Sequence, residues 1–106
     1  MKTSVIIPSF NEIKTLPEIL RRIADLPMNK EVVVVDDGST DGTREWLDRA
    51  ETGKTFPFDL KVIKHAANKG KGKALLTGFA VAAGDIVIIQ DADLEYDPQC
   101  IPEIVR

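Results

Sequence analysis

Four short apolar runs, at residues 5–7, 32–35, 60–63 and 86–89, alternate along the chain with segments of helical period. All are rich in β-branched residues, and three are continuous (Lys61 breaks the other), as strands covered on both faces tend to be. Strands of that kind separated by helices imply right-handed βαβ crossovers. The predicted fold is therefore α/β: a Rossmann-like, doubly wound parallel sheet with helices on both faces. In the first intervening segment Leu16, Ile19, Leu20, Ile23 and Leu26 mark one face, with Thr15 as the expected N-cap, Pro17 in the first turn and Glu18 three residues beyond the cap. The second helix is expected to begin at 41–43, to carry Trp46, Leu47 and Ala50 inward and to end before Gly53, with 52–57 as a loop. The third spans 71–83, with Leu75, Leu76, Phe79, Ala80 and Ala83 on or near one stripe and Gly84 as its C′ residue. A fourth is expected from Pro98 through Val105.

Composition narrows the class. With 106 residues, 43% of them hydrophobic, the chain is expected to form one domain with its own core, which sets aside disorder, collagen-like repeats and coiled coil. A net charge of −3 offers no broad positive surface, so no nucleic-acid partner is expected. The single cysteine, Cys100, cannot form an internal disulfide, which suits a reducing, cytoplasmic compartment. No apolar run approaches the ~20 residues that a spanning helix needs. The chain stops at Arg106 with neither cap nor turn after its last helical segment, so it is expected to be the N-terminal piece of a longer protein; a natural terminus that frays is the alternative.

In an open α/β sheet, ligands bind beyond the carboxyl ends of the strands, where strand order reverses. Four polar segments fall at such ends: Pro8, Ser9, Phe10, Asn11 and Glu12; the run from Asp36 and Asp37 through Gly38 to Gly42; Asn68, Lys69, Gly70, Lys71, Gly72 and Lys73; and Asp91, Ala92 and Asp93. Each has a bland reading. The Asp36–Asp37 pair suits a turn that caps the next helix. The lysine and glycine run suits a solvated loop, since it has neither the phosphate-loop nor the dinucleotide spacing. A strand-ending turn would account for Asp91 and Asp93. Read together, they point elsewhere. Residues two apart in extended chain project to one side, so Asp91 and Asp93 can share a hard divalent cation, Mg²⁺ or Mn²⁺. Asp36, Asp37, Asp91, Asp93, Glu95 and Asp97 would crowd one edge, and two unit charges 4 Å apart repel by roughly 4 kcal/mol at an effective dielectric of 20. Such an edge wants a cation. A metal held by acids, close to lysines and helix N-termini, is what a nucleoside diphosphate requires.

The order and spacing of these four segments resemble family 2 nucleotide-sugar glycosyltransferases over essentially the whole chain. The stretch Asp91, Ala92, Asp93, Leu94, Glu95, Tyr96, Asp97, Pro98 most resembles the polyprenyl-phosphate sugar transferases of that family, including the dolichyl-phosphate mannosyltransferases. The resemblance implies the N-terminal, donor-binding half of an A-type glycosyltransferase fold. Pro8, Asn11 and Glu12 would line the nucleotide pocket, Asp36 and Asp37 would serve the nucleoside with Asp37 on the base, and Lys71 would lie close by. Asp91 and Asp93 would be the catalytic pair that binds metal and diphosphate, with Glu95 as a further metal ligand and Gln90 near the metal or sugar. The implied reaction is inverting transfer of a hexose from a UDP- or GDP-linked sugar to an acceptor, a lipid phosphate in the nearest subgroup. Family members carry a further acceptor-binding half, so this piece alone is expected to show little transfer. Any membrane contact would come through later parts, at the cytoplasmic face.

The other distinctive residues read as structural. His65, the sole histidine, is expected in a surface or loop role, Trp46 packs its helix to the sheet, and Cys100 sits on a helix face. Tyr96 suits either a ligand contact or loop packing. Two other classes stay open on sequence alone: a non-catalytic nucleotide-binding domain, and a phosphorelay receiver-like module, which also carries an acidic pair at strand ends.

Overall fold

The computed structural model describes residues 1–92. The expected fourth helix, together with Asp93, Glu95, Tyr96 and Cys100, lies outside them. Within them run β1 (Thr3–Ser9), α1 (Leu16–Ala24), β2 (Lys30–Asp36), α2 (Thr43–Thr52), β3 (Asp59–Lys64), α3 (Lys71–Val81) and β4 (Ile86–Ile89). The strands form one parallel sheet in the order β3-β2-β1-β4. From β1 the chain steps outward through β2 to β3, then crosses back to place β4 on the far side of β1, so the order reverses between β1 and β4.

Alternation along the strands assigns the faces. Val5 and Ile7 register with Val32 and Val34 and join Leu16, Ile19, Leu20 and Ile23 of α1 and Leu47 of α2 in the larger core. Ile6 registers with Val33 and packs with Val35 against Ala74 and Leu75 of α3. The first two helices thus share one face and α3 takes the other, as right-handed crossovers demand when the chain reverses its direction across the sheet. Trp46 packs onto the larger core as expected and meets Phe56 edge to face, with ring centroids 6.2 Å apart.

Three local expectations are corrected. Thr15 makes no side-chain cap to α1; its hydroxyl lies against the Glu12 carboxylate and the Ala92 carbonyl, while Glu18 turns to Arg21 and Arg22. The apolar stripe expected on α3 is not its buried face. Ala74 and Gly78 are buried, whereas Leu76 is 64% and Phe79 43% exposed. A Cβ on Gly78 would stand 2.5 Å from Ile6 Cγ2, so the helix approaches the sheet through its smallest residues. α3 also ends at Val81, before the expected 83. Gly84 serves close approach instead: a Cβ there would meet the Ser4 amide nitrogen at 2.7 Å.

At the amino-terminal end of the sheet Glu31 is fully buried. Its carboxylate accepts from Ser4 Oγ at 2.5 Å and the Ala83 amide at 2.6 Å, with Lys61 Nζ at 3.0 Å. This cluster ties β1 and β2 to the turn that leads into β4.

Candidate functional site

The carboxyl ends of the strands enclose a cavity of about 380 Å³. It is lined by Pro8, Ser9, Phe10 and Glu12 after β1, Asp37 after β2, Asn68, Gly70, Lys71 and Ala74 before and within α3, and Asp91 and Ala92 after β4. Its place at the β1/β4 reversal is the one that open α/β sheets use for ligands.

Backbone conformation brings these segments together. Gly38 has φ +87°, and a Cβ there would stand 2.8 Å from the Asn68 amide nitrogen, so only glycine lets the loop after β2 touch the loop before α3. Asn11 takes the left-handed region, φ 54°, which asparagine tolerates. Its Oδ1 accepts from the Thr40 amide at 2.8 Å and its own amide donates to Ser39 Oγ at 2.9 Å. Asp41 reinforces that seam, accepting from the Ile13 and Thr43 amides at 3.1 and 3.0 Å. Burial raises the Asp41 pKa, but these donors and the Thr43 hydroxyl outweigh it and hold the carboxyl below its ordinary value.

Asp36 and Asp37 are adjacent, and strand alternation sends them apart. Asp36 continues the face of Val32 and Val34. It is fully buried, accepts from the Ser39 amide at 3.2 Å and pairs with Arg44 Nε of α2 at 3.1 Å. Of the two acids grouped for the nucleoside, Asp36 therefore belongs to the framework and Asp37 to the cavity. Asp37 accepts from the Lys69 amide at 2.9 Å and from His65 Nδ1 at 2.8 Å on Oδ1, and from the Gly70 amide at 2.8 Å on Oδ2. Burial pushes its pKa up, yet those three donors prevail and the carboxyl sits below its ordinary value. It stays ionised at neutral pH.

Asp91 meets Lys71 Nζ at 2.6 Å across the cavity, and Gln90 beside it is buried, its backbone N–H donating to the Ile6 carbonyl at 2.9 Å. The crowding of bare acids expected at this edge is thus absent among the described residues: Asp36 has Arg44, Asp37 has its three donors and Asp91 has Lys71. Of the expected site residues, Pro8, Glu12, Asp37, Lys71 and Asp91 line one cavity, Asn11 braces its rim, and Asp93 and Glu95 lie outside the described residues. Ser9, Phe10, Asn68, Gly70 and Ala74 join the lining. His65 was the unexpected neighbour; its sequence signal was only its place directly after β3. No group of three or more metal-ligating side chains occurs among the described residues.

Comparison with known proteins places this arrangement. The family model described as glycosyl transferase family 2 matches residues 4–106. The chain is 41% identical over 108 residues to a dolichol-phosphate mannosyltransferase of Pyrococcus furiosus, covering all of this chain and 30% of that protein. Mannosyltransferase PcManGT from Pyrobaculum calidifontis, solved in complex with GDP-Man and Mn²⁺, superposes with a TM-score of 0.77 at 39% identity, over 86% of this chain and 27% of that one. S. aureus TarS 1-349 in complex with UDP-GlcNAc gives a TM-score of 0.81 at 32% identity, over 99% and 30%. The chain therefore spans about a third of the length of these relatives. The receiver-like alternative falls with the family match.

Proposed function

The chain belongs to glycosyl transferase family 2, and from that premise we propose that it forms the donor side of a metal-dependent, inverting hexosyltransferase that acts on a nucleoside-diphosphate sugar. The acceptor in this reading is a polyprenyl phosphate. The observation that carries it is one cavity, at the strand-order reversal, that gathers an ionised Asp37 and Asp91 from the ends of β2 and β4 and the Lys71 ammonium from the start of α3. In this reading Asp37 accepts from the base, Pro8 and Glu12 wall the nucleoside, and Lys71 and the N-terminus of α3 face the pyrophosphate.

Asp91 would hold a Mg²⁺ or Mn²⁺ ion together with Asp93 and Glu95. The residue present fits: Asp91 is a hard oxygen donor on the cavity wall, and its carboxylate already faces a positive charge, the Lys71 ammonium 2.6 Å away. Held there, a divalent ion would supply charge neutralisation for the pyrophosphate and for the departing nucleoside diphosphate. A phosphate acceptor carries its own anionic oxygen near neutral pH, so the site has little need of a strong general base. The relatives support each half: one is named a dolichol-phosphate mannosyltransferase, and two were solved with GDP-Man and Mn²⁺ or with UDP-GlcNAc.

Isothermal titration with UDP and with GDP, each with Mn²⁺ and with chelator, tests the reading. Saturable binding of one nucleotide, weakened at least about tenfold by chelation, is expected. Asp91→Asn should remove the difference between the metal and chelator arms. Absence of binding by both nucleotides overturns the proposal.

A further inference from the structure

His65 has no assigned part in donor binding, yet it is one of the three donors that meet the Asp37 carboxylate. It is nine-tenths buried. Its backbone N–H donates to the Asp36 carbonyl at 2.8 Å, carrying the β2–β3 ladder one residue past Lys64. Its ring bridges two elements: Nδ1 lies 2.8 Å from Asp37 Oδ1, and Nε2 lies 2.9 Å from Thr77 Oγ1 of α3. The Thr77 hydroxyl also lies 3.0 Å from the Lys73 carbonyl one turn back, the alternative acceptor for its single proton. An ionised carboxylate only accepts, so Nδ1 carries the proton toward Asp37.

The other two donors to Asp37, the Lys69 and Gly70 amides, belong to the loop before α3, and their own placement depends on Asp37 in return. His65 alone among the three is anchored elsewhere, by the sheet through its backbone and by α3 through Thr77. We propose that His65 is a positioning residue of the donor site, orienting the Asp37 carboxylate and the Asn68–Gly70 loop for the nucleotide through its Nδ1 hydrogen bond. The inference rests on the nucleotide reading of the cavity. It makes His65 a group that acts through Asp37 and does not itself touch the ligand.

Three substitutions separate this from a space-filling role. The amide nitrogen of His65→Asn falls near the position of Nδ1, that of His65→Gln falls near Nε2, and His65→Phe fills the volume with no donor. Two measurements are made on each: the affinity for UDP and GDP with Mn²⁺ by calorimetry, and the hydrogen-exchange rates of the Lys69 and Gly70 amides by NMR in the nucleotide-free chain. The Asn variant should bind within about threefold of the parent, while Gln and Phe weaken binding about tenfold and speed exchange of both amides about tenfold. Parent-like binding and exchange in Gln and Phe overturn the proposal, as does an Asn variant as impaired as Gln. If the parent chain binds neither nucleotide, the functional reading fails while the exchange arm still judges His65: unchanged rates in Gln and Phe overturn its positioning role. If circular dichroism shows the Phe variant unfolded, the contrast between Asn and Gln decides.

Discussion

Two buried carboxylates, Asp37 and Glu31, lie at opposite ends of the sheet, each held by a different set of donors. Asp37 is held ionised by donors that converge on it from the loop before α3 and from His65. Asp37→Asn would turn an amide N–H toward at least one of those donors, leaving a buried group unpaired. Urea unfolding should show a loss of about 1–3 kcal/mol, and calorimetry should show nucleotide binding abolished. Glu31 does no comparable chemistry. Burial alone would raise its pKa, but Ser4, the Ala83 amide and Lys61 draw it from 4.5 down to about 2. A carboxyl whose folded pKa is depressed stabilises the fold above its unfolded value and stops doing so as pH falls through its folded value. The Glu31 contribution is therefore fully present above about pH 4.5 and fades toward pH 2. Acid titration of the unfolding free energy should show this decline in the parent. Glu31→Gln should be less stable at neutral pH, by on the order of 2–3 kcal/mol, with a flatter profile between those limits.

At the level of elements, α3 contradicts the rule that a helix buries its largest apolar residues. Gly78 stands against Ile6, and an added methyl would meet Ile6 Cγ2, a branch atom fixed next to the backbone of a central strand. Gly78→Ala gains about 1 kcal/mol of helix propensity but overpacks the interface at a cost of about 1–3 kcal/mol, so a net loss of stability is expected. Combining it with Ile6→Ala should cost less than the sum of the two single changes, measured by a double-mutant cycle. The same helix shows where sequence patterning stops being informative. Runs of β-branched residues announced all four strands and their parallel pairing, but burial on both faces explains the continuous signature only for β1 and β2; the equally continuous β4 leaves Val87 and Ile89 exposed. Of the expected stripe Leu75 packs on the smaller core, but Leu76 and Phe79 lie exposed, because two small residues four apart, Ala74 and Gly78, let the helix approach the sheet closely. At the site, Asp37, Lys71 and Asp91 could be found from their positions after strands. Which of Asp36 and Asp37 enters the cavity depended on strand phase at its last residue, and the bridge from His65 to Thr77 depended on a crossover that no local pattern encodes.

Across the whole molecule, the cavity joins the two halves of the sheet. β4 meets the other strands only through β1 among the described residues, and the loops after β1, β2 and β4 and the start of α3 all contribute lining. A ligand seated there contacts segments that must separate when the chain unfolds, so it binds the native state and has no comparable site in the unfolded one. Mass action then sets the size of the effect: at a free concentration one hundred times its Kd, a ligand adds about 2.7 kcal/mol. For a domain near this size each kcal/mol raises Tm by roughly 4–8 °C, so the matching donor should raise it by about 10–20 °C. Thermal unfolding with UDP-GlcNAc and GDP-mannose, each with Mn²⁺ and with chelator, should therefore single out one donor and lose most of the shift on chelation. The Asp91→Asn chain should show the same small shift in both arms while its ligand-free Tm stays close to that of the parent, since Asp91 and Lys71 are joined by a partly exposed ion pair of the kind that contributes about 1 kcal/mol or less. A large fall in the ligand-free Tm would instead make the Asp91–Lys71 pair a structural clasp between β4 and α3, and would count against a wall shaped for the donor.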